Sequence, residues 1–397
     1  MRFILIVCGC LCGFSAIGAE ATDAARKLAQ DAIVVDTHID APGILMERWS
    51  DLGIDSPKAE FDYPRARLGG LDVAFMSIYT SANDDETGKA WQVAHTQIDA
   101  IEALVARHPD KFAALRSPGD VGRLRTGGRV LLALGMENGA PIGDDLSQLA
   151  KFHARGVRYI TLAHSRSNRI SDSSYDPNKR WQGLSSFGEQ VVAEMNRLGI
   201  MVDVSHLSDD AIRDAIAASK APVIASHSAL RHFTPGFERN LSDDLAKLIA
   251  NNGGVVQIPF GIAFVDPKAA ADTQAHFRAR DEFHKRNAAR KAANQPQEDI
   301  DAFEQQWTKD HPVPDTQIAA VLDQIDYAVK LIGADHVGLG SDFDGVSGEL
   351  PEGLRSVADF PNLIAGMQAR GHGEADIRKI LGGNLLTVWA AVEAAAK

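Results

Sequence analysis

The chain of 397 residues is 45% hydrophobic and 24% charged, the balance of an ordinary globular protein with room for one large or two medium domains. Its formal net charge of -12 excludes a nucleic-acid backbone as partner, because phosphate binders carry basic patches or stripes.

The first element is a leader. MRFILIVCGCLCGFSAIGAEA carries one Arg, then an apolar stretch through Ile17, then Ala19-Glu20-Ala21, an A-x-A cleavage pattern. Its apolar part is too short to span a bilayer and small residues close it, so residues 1–21 read as a signal peptide and the protein as exported, periplasmic or secreted. Cleavage removes Cys8, Cys10 and Cys12, which are all the cysteines, and leaves neither disulfide nor thiolate ligand. A lipid anchor at Cys10 is the weaker reading, since Val7-Cys8-Gly9-Cys10 matches a lipoprotein cleavage box poorly. No transmembrane anchor is expected.

Eight apolar runs of strand length follow, at 33–40, 71–79, 130–138, 157–164, 200–206, 222–228, 254–260 and 336–345. Helical periodicity falls between them, for instance at 185–198, 208–219, 241–252 and 316–332. Such alternation predicts parallel pairing, and eight units predict an α/β fold of the (β/α)8 TIM-like barrel type, with an open doubly wound sheet as the alternative. Residues 22–397 then form a single domain. The segment 267–314 is long and heavily charged, with ARDEFHKRNAARKAANQ at its centre, and reads as a helical insertion or lid.

The barrel makes a test that the open sheet does not, because its chemistry collects at the C-terminal ends of the strands. The polar residues fall there. In IVVDTHIDAP, His38 and Asp40 are two apart and share one face of the first strand's end. Glu137 closes the third strand, His164 the fourth, His206 the fifth, His227 the sixth and Asp342 the eighth. His95, His108, His153, His276, His284, His311, His336 and His372 lie elsewhere and read as surface or packing residues, while His232 could go either way.

Three histidines, an aspartate and a glutamate are too many ligands for one catalytic zinc, which takes three protein ligands and an open position. They suit two ions bridged by Glu137, with His38 and Asp40 on one and His206 and His227 on the other. Such a pair acidifies a bridging water toward hydroxide, a nucleophile at neutral pH. The nitrogen and oxygen donors suit zinc best, although manganese, cobalt or iron also fit.

At these residues the chain resembles the zinc-dependent membrane (renal) dipeptidases and their bacterial relatives, within the amidohydrolase-type barrels. The resemblance runs from about Ala32 to about Trp389. It rests on THIDAP, GMENG (135–139), LAHS (162–165), LSSFGEQVVAEMNRLGIMVDVSH (184–206), ASHS (225–228), ERN (238–240) and GSDFDG (340–345). It implies that His38, Asp40, Glu137, His206 and His227 hold two Zn2+ ions per chain. It makes His164 a contact to substrate and transition state, Arg239 a binder of the substrate carboxylate, and Asp342 the proton-handling carboxylate. The implied activity is hydrolysis of dipeptides with a free C-terminal carboxylate, by attack of a hydroxide bridging the zinc ions. A homodimer is left open, because the disulfides and lipid-anchor tail of animal relatives are absent.

Two other readings stand beside it. One is a different binuclear hydrolase of the same barrel class; most of those bridge their metals with a carboxylated lysine, and no lysine ends the third or fourth strand here. The other is a non-catalytic exported metal or solute binder, against which Asp342, an intact candidate acid and base, counts. For Asp344-Gly345 the plain account is a polar turn.

Overall fold

A computed structural model describes residues 21–396. The leader, with Cys8, Cys10 and Cys12, lies outside the described residues except for Ala21. No helix among the described residues is long and apolar enough to cross a membrane.

Nine strands make one parallel sheet: β1 Val34–Ile39, β2 Leu71–Tyr79, β3 Phe112–Ala114, β4 Val130–Glu137, β5 Val157–Thr161, β6 Met201–Asp203, β7 Ile224–Ala225, β8 Val255–Ile258 and β9 Val337–Leu339. Eight of them follow one another around a barrel in the order β1-β2-β4-β5-β6-β7-β8-β9. The ring closes where Ile39 bridges Phe343, with Asp342 N–H donating to the His38 carbonyl at 3.0 Å and Asp40 N–H to the Phe343 carbonyl at 2.8 Å. The barrel, rather than the open sheet, is the architecture. The unforeseen strand, β3, pairs with Val130–Leu132 on the edge of β4 that β5 occupies only from Leu134 onward.

The strands alternate between two apolar environments, as the pleat requires. Val35, Val73, Phe75, Leu131, Ala133, Tyr159, Met201, Ile224 and Val255 share one cluster with Leu385, Val388, Trp389 and Val392 of the helix Asn384–Ala395. That helix therefore plugs the barrel floor, its Trp389 ring 5.3 Å from the Phe75 ring. Residues of the other parity, among them Ala74, Met76, Leu132, Ile160, Val202 and Ile258, pack in a second cluster with the surrounding helices. The helices begin where their serines dictate: Ser185, Ser208 and Ser242 each accept a backbone N–H from the first turn. The charged segment forms two helices, Pro267–Ala292 and Ile300–Asp310.

Candidate active site

Glu137 shares parity with Leu131 and Ala133, so at the end of β4 its carboxylate enters the barrel mouth. The flanking strands end sooner than their apolar runs do. Buried aspartates take over the ladder: Asp203 Oδ1 accepts N–H bonds from Ser205 at 3.1 Å and Ser226 at 2.8 Å. Asp36 Oδ1 does the same for His38 at 3.1 Å and Ser341 at 2.9 Å. Released from pairing, the chain turns inward, and His206 and Asp342 adopt φ of 68° and 65°, a left-handed conformation costly for side-chain-bearing residues. Gly345 leaves room at the last of these turns, because a Cβ there would run into the carboxylates of Asp40 and Asp342.

All eight residues singled out from sequence converge at this mouth. The two oxygens of Glu137 face different histidines. Oε2 lies 3.5 Å from His38 Nε2, while Oε1 lies 3.0 Å from His206 Nε2, 3.3 Å from His227 Nε2 and 3.5 Å from His164 Nε2. Asp40 Oδ2 is 3.3 Å and Asp342 Oδ1 3.9 Å from His38 Nε2, and the Nε2 atoms of His206 and His227 stand 2.8 Å apart. Around a tetrahedral ion with bonds of 2.0–2.1 Å, ligand atoms stand roughly 3.3 Å from one another. The observed separations are of that size, and His38 Nε2 and Asp40 Oδ2 are buried with no hydrogen-bond partner. The donor set fits a metal, with candidate groups His38/Asp40/Glu137, Glu137/His164/His206 and His38/His227/Asp342.

Supporting bonds fix which ring nitrogen is free. The Tyr159 hydroxyl donates to the Thr37 carbonyl at 3.0 Å, so its oxygen accepts from His38 Nδ1–H at 2.8 Å and leaves Nε2 with its lone pair. Ser226 Oγ donates to Asp203 Oδ2 at 2.6 Å and accepts from His227 Nδ1–H at 2.8 Å, with the same result. Gly135 makes the first arrangement achievable, since a Cβ on it would strike the Tyr159 ring that crosses the lumen to His38.

The electrostatics agree. Burial and the neighbouring Arg239 and His164 hold His206 well below the ordinary histidine range, and burial with His38 does so for His227, so both are neutral donors. Burial would also depress His38, but Tyr159, Asp40 and Glu137 outweigh it and push it well above that range. The two carboxylates draw positive charge to this point, a proton or a bound cation alike. Glu137 is ionised, held well below the usual carboxylate range despite burial by His38, His164 and the bonds from His206 and His227. Asp342 goes the other way, raised well above it by burial and by Asp40.

His164 stands beside the cluster, its ring 4.1 Å from that of His206 and 4.7 Å from Tyr79, with Nδ1 unpartnered. Arg239 is 2% exposed. It donates to Ser228 Oγ and the His227 carbonyl, both at 2.8 Å, lies 3.1 Å from His206 Nε2, and covers the Phe264 ring at 5.0 Å. No carboxylate among the described residues pairs with it, and its Nε is unpartnered. His232 packs on Tyr327 with ring centroids 4.2 Å apart, away from the mouth. Asp344 is more than a turn residue, because its carboxylate receives the N–H groups of Glu60 at 2.7 Å and Phe61 at 3.2 Å. Asp36, Tyr159, Asp203 and Ser226 were not anticipated from sequence; a polar residue inside an apolar strand is the signal that marks three of them.

With this geometry in place, residues 22–397 match the family described as Membrane dipeptidase (Peptidase family M19). The chain belongs to the M19 membrane dipeptidase family. Its curated relatives include Dipeptidase aclJ of Aspergillus oryzae, 33% identical over 350 residues, which are 86% of this chain and 72% of that protein. Among solved structures, the probable dipeptidase PvdM from Pseudomonas aeruginosa aligns at a TM-score of 0.80 and 29% identity, covering 94% of this chain and 98% of that one. A metallo peptidase from Rhodobacter sphaeroides, liganded with a phosphinate mimic of the dipeptide L-Ala-D-Ala, aligns at 0.74 and 25%, covering 91% and 100%. The M19 chain is a metal-dependent dipeptidase, and the candidate metal-binding groups around Glu137 fit that activity.

Proposed function

We propose that the protein is an exported dipeptidase whose residues 22–397 act as one domain after removal of the leader 1–21. Two zinc ions would be held by His38 and Asp40 on one side and His206 and His227 on the other, with Glu137 serving both. Zinc so bound supplies an acidified water and polarises the scissile carbonyl. The rest of the chemistry belongs to the chain. His164, kept neutral by burial, presents an N–H to the oxygen that gains charge on attack. Asp342, whose burial beside Asp40 raises its affinity for a proton, takes the proton of the attacking water and delivers it to the leaving amine.

The observation that carries the reading is Arg239. A buried guanidinium without a carboxylate partner is costly, and an anionic ligand relieves that cost. A substrate carboxylate is the anion that fits, gripped by charge-assisted hydrogen bonds. A carboxylate held by Arg239 lies beside the metal ligands, 3.1 Å from His206 Nε2, so the free C-terminus and the scissile bond share one site. An exopeptidase for dipeptides follows. The test is hydrolysis by the zinc-loaded mature protein of free dipeptides, their C-terminal amides and tripeptides. Dipeptides should be cleaved and the others poorly; equal cleavage of all three would remove the carboxylate grip and the dipeptide restriction together.

A further inference from the structure

The helix Pro267–Ala292 is the roof of the mouth, and one of its side chains touches three cavities. Thr273 and Phe277 line the cavity of about 510 Å³ that contains Asp40, Glu137, His164, His206 and Asp342. Phe277 also lines a cavity of about 980 Å³ on the His164 side and one of about 150 Å³ on the Arg239 side. Gln274 and Arg278 border the small one, and Arg280, Asp281 and His284 border the large one, so Phe277 stands between them. Its ring is stacked on Tyr175, with centroids 4.0 Å apart and planes 15° from parallel, and Tyr175 itself lies 5.8 Å from the His206 ring. The roof is also tied down beyond the stack: Arg166 holds Asp281 at 3.0 Å, and Gln274 donates to the Gly236 carbonyl at 2.8 Å.

Resting on the dipeptidase reading, we propose that Phe277 is a specificity-determining residue that divides the substrate site unequally, admitting a long polar side chain on the amino-terminal residue and a small one on the carboxy-terminal residue. With the carboxylate on Arg239, the carboxy-terminal residue lies at the 150 Å³ end. The amino-terminal residue then runs toward His164, where the 980 Å³ cavity opens. The walls of that cavity include Asn83, Ser165, Arg166, Asp176, Asn178 and Arg180. Such walls offer hydrogen bonds to an amide or guanidinium side chain, whereas an aliphatic one would strip them of water without replacing it. Phe277 belongs to no metal-binding group, so its replacement should leave the ions in place.

The experiment compares catalytic efficiency on Gln-Ala, Leu-Ala and Ala-Gln in the zinc-loaded parent, Phe277→Ala and Phe277→Tyr, with metal content measured for each. In the parent, Gln-Ala should exceed both others by about tenfold or more, the scale on which a pocket separates side chains. Phe277→Ala should bring Gln-Ala and Ala-Gln to within about threefold of each other, chiefly because Ala-Gln improves as the two cavities merge, a gain that general damage does not produce. Phe277→Tyr, which keeps the ring, should keep the preference. Equal efficiency on all three peptides in the parent, or an unchanged preference in metal-replete Phe277→Ala, overturns the proposal while leaving the dipeptidase reading intact. Failure of the zinc-loaded parent to cleave any of the three would instead overturn that reading, and this proposal with it.

Discussion

His38 and His227 meet at the centre of the mouth with ring centroids 3.7 Å apart, and each is oriented by the same device. Its Nδ1–H goes to a hydroxyl, Tyr159 for one and Ser226 for the other, and that hydroxyl passes its own proton on to a carbonyl or a carboxylate. What surrounds the two rings differs. On the Oε2 side of Glu137 stand the carboxylates Asp40 and Asp342; on the Oε1 side stand His206 and His164, with the Arg239 guanidinium behind them. Orientation and charge are thus assigned to separate residues. One half is acidic and the other neutral or cationic, the division on which the proposed proton path and carboxylate grip rest.

If that division is right, substitutions should separate the halves except at the residue they share. Glu137→Gln keeps the shape but removes the negative charge that two adjacent cations require. Both ions should be lost and turnover with them, as read by metal analysis after dialysis; two tightly held ions in this variant would contradict the shared carboxylate. In the acidic half, Asp342→Asn should lower turnover by about 10²–10⁴-fold with metal content unchanged, the cost of a missing acid and base. A normal rate would take Asp342 out of the proton path.

In the cationic half, Arg239→Met should lose at least about 30-fold in kcat/KM, because removing one partner of a buried charged pair costs about 2–5 kcal/mol. The variant should also stop distinguishing free dipeptides from their amides. A loss of about fivefold or less is what a surface ion pair would give, and would return Arg239 to a structural role. The smallest and most selective effects belong to the supporting hydroxyls. Tyr159→Phe and Ser226→Ala should each weaken metal affinity by about 10–100-fold, the range for partners of ligating histidines. Chelator titration should show one ion of the pair released early in each variant. Release of both ions together in both variants would mean that the halves are not independent.

The parts of this site visible in the sequence were those that interrupt an apolar run at its end. His38, Asp40, Glu137, His164, His206 and His227 each follow several strand-forming residues, and the barrel rule gathers strand ends into one place. Tyr159 was hidden because it reaches His38 across the lumen, over 121 positions of chain, whereas Asp36, Asp203 and Ser226 showed only as polar residues in apolar runs, their bonds to Ser341, Ser226 and Asp203 on neighbouring strands being set by the fold. The strands were drawn too long for a related reason. Apolar character continues past Asp203 and Leu339, but beyond them the N–H groups of Ser205, Ser226 and Ser341 go to the side chains of Asp203 and Asp36 instead of along a regular ladder. β3 was missed because three residues carry no period. For the charged insertion, composition revealed helices, whereas its position over the mouth depends on tertiary contacts such as that between Phe277 and Tyr175.

The floor of the barrel has a consequence for the order in which the protein is made. Ribosomal synthesis proceeds from the amino terminus, and Trp389 and its neighbours on Asn384–Ala395 emerge after every strand they support. Until they do, the inward apolar residues of β1 to β8 lack their stopper, and until Phe343 emerges β1 lacks its closing partner. Contacts so distant in sequence form slowly. The barrel therefore cannot reach its native packing until the helix that plugs its floor has been made.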